Sequence, residues 1–369
     1  MRVLITGGAG FIGSHLADEL LRAGHAVQVL DSLISQVHGA DRERPRYLAP
    51  EVELIVGDVR DPAVVRRALR GVDAVYHLAA RVGVGQSMYE LAEYTAVNNL
   101  GTAVLLEALV AQPVQRLVVA SSMSVYGEGR YRDRAARIHD HVLRSPEQLA
   151  RGGWDPRDPE GEVLVPLATP ETKPPALASL YALSKYDQER MCLVVGAAYK
   201  IPTVALRFFN VYGPRQALSN PYTGVLAIFA ARHLNHKPPL IFEDGQQRRD
   251  FVHVRDVAAA CRLALEVDQA AGGVFNIASG QALTIRAIAD LVAAALGSPL
   301  EPQLTGQYRI GDVRHCLADI GLASRVLGYQ PKVELGAGLA ELAEWLARQV
   351  AIDRVDDMRA ELVQRGLAR

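Results

Sequence analysis

The chain has 369 residues, 49% of them apolar, enough for a buried core in one large domain or two. A formal net charge of −1 provides no basic field to hold nucleic acid, and no stretch of 18 apolar residues suggests a membrane span. Cys192, Cys261 and Cys316 stand far apart with no C-x-x-C pair, and no signal-peptide pattern precedes the first apolar run, so a cytoplasmic protein with neither disulfides nor bound metal is expected.

In chain order, Val3-Leu4-Ile5 leads into Gly7-Gly8-Ala9-Gly10-Phe11-Ile12-Gly13 and then the helical pattern Ser14–Leu21. Strand, glycine turn, helix is the order of a dinucleotide-binding unit. Gly7 permits the tight turn, Gly10 the approach of a pyrophosphate and Gly13 close packing of the helix, whose N-terminus faces the phosphates. The second strand ends at Asp31, 18 residues beyond Gly13, where a carboxylate would take the adenosine ribose hydroxyls. No Arg or Lys follows before Arg42, so the cofactor is expected to be NAD rather than NADP.

Strands at 2–6, 26–30, 52–56, 73–78 and 116–121 alternate with helices near 12–23, 62–70 and 93–112, a pattern that predicts a parallel, doubly wound α/β sheet. Gly7, Asp31, Asp58, Ala79-Ala80 and Ser121-Ser122 all fall at strand ends, where such sheets bind ligands. Asp58 reads equally as an adenine contact or as a turn-forming residue. From 127 to 175 the regularity stops, and an irregular insert rich in Arg, Asp, Glu and Pro is expected. A helix over 179–199 and a strand over 203–207 follow, then helices at 222–235, 255–267, 284–296 and 336–350. The reading divides the chain into a nucleotide-binding part over 1–210, a smaller α/β substrate-binding lobe over 211–350 that can return segments to the first part, and a helical tail over 351–369. In the tail Ile352, Val355, Met358, Leu362 and Leu367 share one side, which leaves docking and fraying both open.

Tyr181-Ala182-Leu183-Ser184-Lys185 opens the helix after the insert, and the spacing of four puts phenol and ammonium on one face. A free tyrosine ionises near pH 10, so making it a base near neutrality costs about 4 kcal/mol. A neighbouring ammonium and a positively charged nicotinamide both work in that direction.

Gly7-x-x-Gly10-x-x-Gly13, Ala79-Ala80, Asn98, Ser121-Ser122-Met123-Ser124-Val125-Tyr126-Gly127, Tyr181-x-x-x-Lys185 and Arg207-Phe208-Phe209-Asn210-Val211-Tyr212-Gly213-Pro214 occur in that order. Together they resemble the extended short-chain dehydrogenase/reductases, in particular the NAD-dependent nucleotide-sugar epimerase/dehydratase family, from Met1 to about residue 350. The resemblance implies a Rossmann-type fold, a nucleotide-sugar substrate and a homodimer formed through helices near 93–112 and 179–199. It also implies a catalytic set of Ser122, Tyr181 and Lys185. The implied cofactor contacts are Gly7, Gly10, Phe11, Ile12, Gly13, Asp31, Asp58, Val59, Leu78, Ala79, Ala80, Asn98, Tyr181, Lys185 and Phe208. For the substrate they are Val84, Gly85, Ser87, Ser122, Ser124, Asn210, Arg249, Arg309 and Asp312, with the two arginines on the diphosphate.

The implied reaction is oxidation at the sugar C4 with proton removal by Tyr181, turning of the 4-ketosugar and return of the hydride to its other face. Dehydrating relatives resemble one another in carrying Asp-Glu where this chain has Met123-Ser124, so a dehydratase or decarboxylase is disfavoured. A reductase or an NAD-binding regulator would share the glycine turn, but the first commonly prefers NADP and the second would normally lack part of the Ser122, Tyr181 and Lys185 set. Ser122–Gly129 and Gly311–His315 look most similar to dTDP-L-rhamnose 4-epimerase-like proteins. Related inserts often carry cysteine pairs, but no Cys lies between 127 and 191 here, and His139 with His141 cannot complete a tetrahedral site.

Overall fold

The computed structural model describes residues 1–349 and 351–369. A seven-stranded sheet runs in the order Val274–Ile277, Thr203–Phe208, β5 (Arg116–Ser122), β4 (Ala74–His77), β1 (Arg2–Thr6), β2 (Ala26–Asp31), β3 (Glu53–Val56). Every neighbouring pair is parallel. Because side chains alternate along a strand, each strand supplies both faces. Val3, Ile5, Val118 and Leu206 pack with Leu16 and Leu20 of α1 (Phe11–Arg22) and with Val257 and Cys261 of the helix Val254–Glu266. Leu4, Val75, Leu117 and Ala205 pack on the other face with Val65, Leu105, Leu109 and Cys192. This is the doubly wound Rossmann arrangement that the alternation predicts.

The remaining strands correct the sequence reading. The insert, irregular over most of its length, also carries regular elements: Arg130–Arg132, Ile138–His139 and Val165–Thr169 are strands and Pro146–Ala150 is a short helix. They join Asn210–Tyr212, Arg248–His253 and His315–Ala318 in a second sheet, with Val165–Thr169 between Arg130–Arg132 and His315–Ala318. A small apolar cluster of Tyr131, Val142 and Leu164 and a set of charge pairs hold the insert there. Arg144 pairs with Glu128 (3.0 Å) and Glu243 (2.6 Å), while Arg314 pairs with Asp155 (2.8 Å), Glu243 (2.9 Å) and Asp244 (2.6 Å). Glu128 also accepts the backbone amides of Arg314 and His315. With several carboxylates around it, the buried Arg314 keeps its charge paired, as burial requires.

The later helices run Val225–Leu234, Val254–Glu266, Ile285–Ala295 and Leu335–Leu346; Val350, the last residue of the helix read at 336–350, lies outside the described residues. The helix predicted near 93–112 is built as Leu91–Tyr94, a π segment at Thr95–Leu100 and Gly101–Ala111. The tail docks through a helix over Val355–Gln364, with Val355, Met358 and Leu362 buried and Leu367 partly so, whereas Ile352 is exposed.

Candidate active site

The glycine turn follows β1. Gly7 has φ +71°, and a Cβ there would lie 2.8 Å from the amide nitrogen of Ala79, so a side chain would be both strained and obstructed. A Cβ on Gly13 would lie 2.5 Å from the Cα of Gly8 and 2.6 Å from the carbonyl of Gly7, so α1 can sit on the turn only as glycine. The helix N-cap is Gly10, with no side-chain capping bond, which leaves the amides at Phe11 and Ile12 to an external anion. Asp31 ends β2 beside this turn and accepts the amides of Ala9 (3.0 Å) and Leu33 (2.9 Å). Arg42, distant in sequence, folds back to donate to the carbonyls of Ser32 and Leu33. These features fit a dinucleotide pyrophosphate and ribose.

Asp58 accepts the amide of Arg60 (2.8 Å) and its guanidinium (2.7 and 3.0 Å), so the contacts it makes are those of the turn-forming reading. Val59 is buried, packing where a side chain on Gly101 would intrude. Leu78, Ala79 and Ala80 leave the end of β4; Thr6 accepts the Ala79 amide. Asn98 sits in the π segment, where widened backbone frequently marks a functional site. Its side-chain oxygen accepts the amide of Arg81 (2.7 Å) and its NH2 donates to the carbonyl of Arg81 (3.1 Å) and the hydroxyl of Ser184 (2.9 Å), tying this helix to the one carrying Tyr181.

That helix, Leu180–Tyr199, is capped by Ser179, which accepts the amide of Ala182. Tyr181 lies in its first turn and Lys185 one turn on. Ser122 ends β5 in register with Phe208 on the neighbouring strand. The Ser122 hydroxyl accepts the Ser124 hydroxyl at 2.9 Å. Burial raises the Tyr181 pKa, and the neighbouring Ser122 hydroxyl works against it. Burial pushes Lys185 down to about 8. The Lys185 ammonium donates to Gln188 Oε1 (2.7 Å), not to the phenol, and the Gln188 amide reaches Thr102 (2.9 Å) and His77 (3.2 Å). His77 also bonds Thr6 at 2.8 Å, so a buried polar chain runs from β1 to Lys185.

The substrate set divides between two places. Val84, Gly85 and Ser87 form a short helical turn, in which the Ser87 hydroxyl accepts the Tyr181 amide (3.0 Å). Arg309 pairs with Asp312 at 2.7 Å and stacks over Phe242 at 4.7 Å. Arg249 reaches Asp312 at 3.4 Å and is otherwise held by the carbonyls of Arg248, Val313 and Arg314. Burial would raise Asp312, but the two guanidiniums outweigh it and hold its carboxyl at about 2. A Cβ on Gly311 would lie 2.7 Å from the carbonyl of Ala178, so this arm abuts the cap of the Tyr181 helix. Asn210 has a buried side-chain oxygen without a hydrogen-bond partner among the described residues.

The sequence matches the NAD dependent epimerase/dehydratase family over residues 3–146 and 159–278. The chain belongs to this family. It is an enzyme of the NAD-dependent epimerase/dehydratase type, and NAD is its cofactor. Among family members, dTDP-L-rhamnose 4-epimerase of Burkholderia thailandensis is 36% identical over 353 residues, covering 95% of this chain and 96% of that protein. The UDP-glucose 4-epimerase of Thermotoga maritima, solved with UDP-glucose, has a TM-score of 0.78 at 31% identity, covering 94% of this chain and 99% of that one. The UDP-glucuronic acid 4-epimerase of Bacillus cereus, solved with UDP-glucuronic acid and NAD, has a TM-score of 0.77 at 28% identity, covering 94% and 99%.

Residues outside the sequence reading also build this site. Gln188 braces Lys185 and Phe242 lies beneath Arg309, while His77, which at the end of its strand reads as a buried, satisfied residue rather than an acid or base, bonds Gln188. Gln188 stands three positions after Lys185, on the same helical face, and that spacing is the signal that could have found it. Met123, by contrast, packs with Val125, Tyr126, Phe209 and Cys316 in an apolar cluster.

Proposed function

We propose that the protein is a nucleotide-sugar 4-epimerase acting through a transient 4-ketosugar on a dTDP- or UDP-hexose, with a dTDP-L-rhamnose-like sugar favoured. The observation that carries this reading is the Ser122, Tyr181 and Lys185 set standing beside an apolar Met123. Elimination and decarboxylation ask for a further acid or base at that place, whereas inversion at C4 needs only a proton acceptor and an orienting donor. The 36% identity to a dTDP-L-rhamnose 4-epimerase over nearly the whole chain supports the choice of sugar.

The glycine turn, Asp31 and Lys185 would hold NAD, which when bound supplies the hydride acceptor and donor for the sugar carbon. Tyr181 removes the proton of the C4 hydroxyl, and Ser122 hydrogen-bonds the same oxygen. Against the upward pull of burial, the Lys185 ammonium and the cofactor's positive ring stabilise the phenolate. Arg249 and Arg309 grip the diphosphate while the ketosugar turns, after which Tyr181 returns its proton to the oxygen. Asn210, with its free oxygen, accepts a substrate donor.

A homodimer formed through the helices Gly101–Ala111 and Leu180–Tyr199 belongs to this reading. Leu183 and Val194 on the second helix, and Leu100 just before the first, are exposed apolar residues that such a face would cover. A cytoplasmic location fits as well; among the described residues no helix is long and apolar enough to cross a membrane.

The test is to incubate the purified protein with dTDP-, UDP- and GDP-hexoses and follow the sugar ring by NMR. A C4 epimer formed without added cofactor, and absent with Tyr181→Phe, is the expected result. A 4-keto or decarboxylated product, or stoichiometric use of free cofactor, overturns the reading.

A further inference from the structure

Residues 353–369 lie against both halves of the substrate set. The segment is anchored by Asp353, buried at 2% side-chain exposure between Arg232 (3.2 Å) and Lys237 (3.0 Å). Its helix then presents Val355, Met358 and Leu362 to Leu240, Tyr222 and Phe242. On one side Leu362 meets the turn at 84–87, its Cδ2 only 3.3 Å from where a Gly85 Cβ would stand. Glu361 accepts the Tyr89 hydroxyl at 3.2 Å, Tyr89 and Tyr222 share a 2.5 Å hydrogen bond, and the Arg365 guanidinium lies 4.2 Å over the Tyr89 ring. On the other side the chain pairs with the backbone around Arg309. Tyr308 and Arg369 exchange both amide-carbonyl bonds (2.8 and 3.0 Å), Ile310 donates to Leu367 (2.9 Å), and Arg359 bonds Gln307 (2.8 Å).

We propose that residues 355–369 act as a clasp that sets the sugar-side turn and the diphosphate arginine at a fixed separation, with Leu362 and Glu361 as positioning residues for the sugar and the Arg369 backbone as the positioning group for Arg309. The inference rests on the assignments above of the 84–87 turn to the sugar and of Arg309 to the diphosphate. None of these clasp groups is placed at the reacting atoms. They act by preorganisation, so their loss is paid at substrate binding. The turn they support also holds the Tyr181 amide through Ser87, so a loosened turn reaches the catalytic helix. The two contact zones are separable because Leu362 meets the turn whereas Arg369 bonds the backbone of Tyr308, beside Arg309.

The experiment measures affinity of the NAD-loaded protein by calorimetry for UDP and dTDP, and for UDP-glucose and dTDP-L-rhamnose, alongside KM and kcat. Leu362→Ala should weaken the bound nucleotide sugar about tenfold and leave the free nucleoside diphosphate within about twofold. Glu361→Gln, at a partly exposed site that leaves the fold intact, should give the same pattern at about threefold. Arg369→Pro, which deletes the amide donated to Tyr308, should weaken diphosphate and sugar nucleotide equally. KM should carry most of each change, with NAD retention unaltered. Equal weakening of diphosphate and sugar nucleotide by both Leu362→Ala and Glu361→Gln, or no effect of either, overturns the clasp. If the variants show this binding pattern yet the parent protein inverts no sugar, the epimerase reading fails and the clasp stands.

Discussion

Glu189 and Arg207 bind the Tyr181 helix to the central strands, and replacing Glu189 by Gln tests how much that pair carries. The guanidinium and carboxylate meet twice, at 2.7 and 2.9 Å, with side-chain exposures of 6% and 1%. The Ser121 hydroxyl adds a third bond to Glu189 at 2.6 Å, and Tyr126 takes Arg207 at 2.8 Å. Gln keeps the shape but removes the charge that balances a guanidinium shut away from water. Removing one partner of such a pair costs about 3–5 kcal/mol, a large part of a total stability of about 5–15 kcal/mol. Glu189→Leu combined with Arg207→Met removes both charges and should cost less than the single variant Glu189→Leu or Arg207→Met alone, although Ser121 and Tyr126 each lose a partner. Urea unfolding followed by circular dichroism at one protein concentration gives the cycle. A loss below about 1 kcal/mol for Glu189→Gln, or singles that simply add in the double variant, would refute the claim that the pair is a desolvated unit.

Gly13→Ala should cost about 1–3 kcal/mol by overpacking, because the added methyl meets backbone rather than a movable side chain. The purified variant should carry less NAD than the parent, measured after acid release; full occupancy with unchanged melting would remove the steric argument for the turn. Acid stability tests His77, whose pKa burial depresses to about 3, with the Lys185 charge acting the same way. The unfolded imidazole titrates near 6.5, so the contribution is fully present above that pH and is lost as pH falls toward 3, at about 1.4 kcal/mol per pH unit. His77→Gln should flatten the stability profile between pH 6 and 4 by about that slope; a profile parallel to the parent's would show that the imidazole is not held neutral.

The parts of the fold that were legible are those whose signal is apolar and local. Val3–Ile5, Val27–Leu30 and Leu117–Ala120 are buried on both faces and read as short apolar runs between turn residues. The second sheet was not legible, because Arg130-Tyr131-Arg132 and Arg248-Arg249-Asp250 are charged rather than apolar runs, with Arg130 satisfied by Asp140 within the insert and Arg249 and Asp250 by Arg314 and Ser279 farther along the chain. Val274-Phe275-Asn276-Ile277, flanked by Gly272-Gly273 and Gly280, did carry a strand signal that the helical bias of that region obscured. At the site, the glycine turn and the Tyr181 and Lys185 spacing were readable, since each is set within a few residues. Arg42 beside the end of β2 was not, because sequence distance hides a loop that folds back. Nor was the Gln188 contact inferred, although it lies one turn from Lys185.

The position of Val274–Ile277 at the margin of the main sheet has a consequence for synthesis. Its neighbour Thr203–Phe208 leaves the ribosome first and presents an unpaired hydrogen-bonding edge until residue 277 follows. At ordinary elongation speeds that interval is roughly 3–14 s. For those seconds the nascent chain displays Val204-Ala205-Leu206 as a template for another strand, and docking of the four-residue strand Val274–Ile277 covers that longer edge with a shorter one.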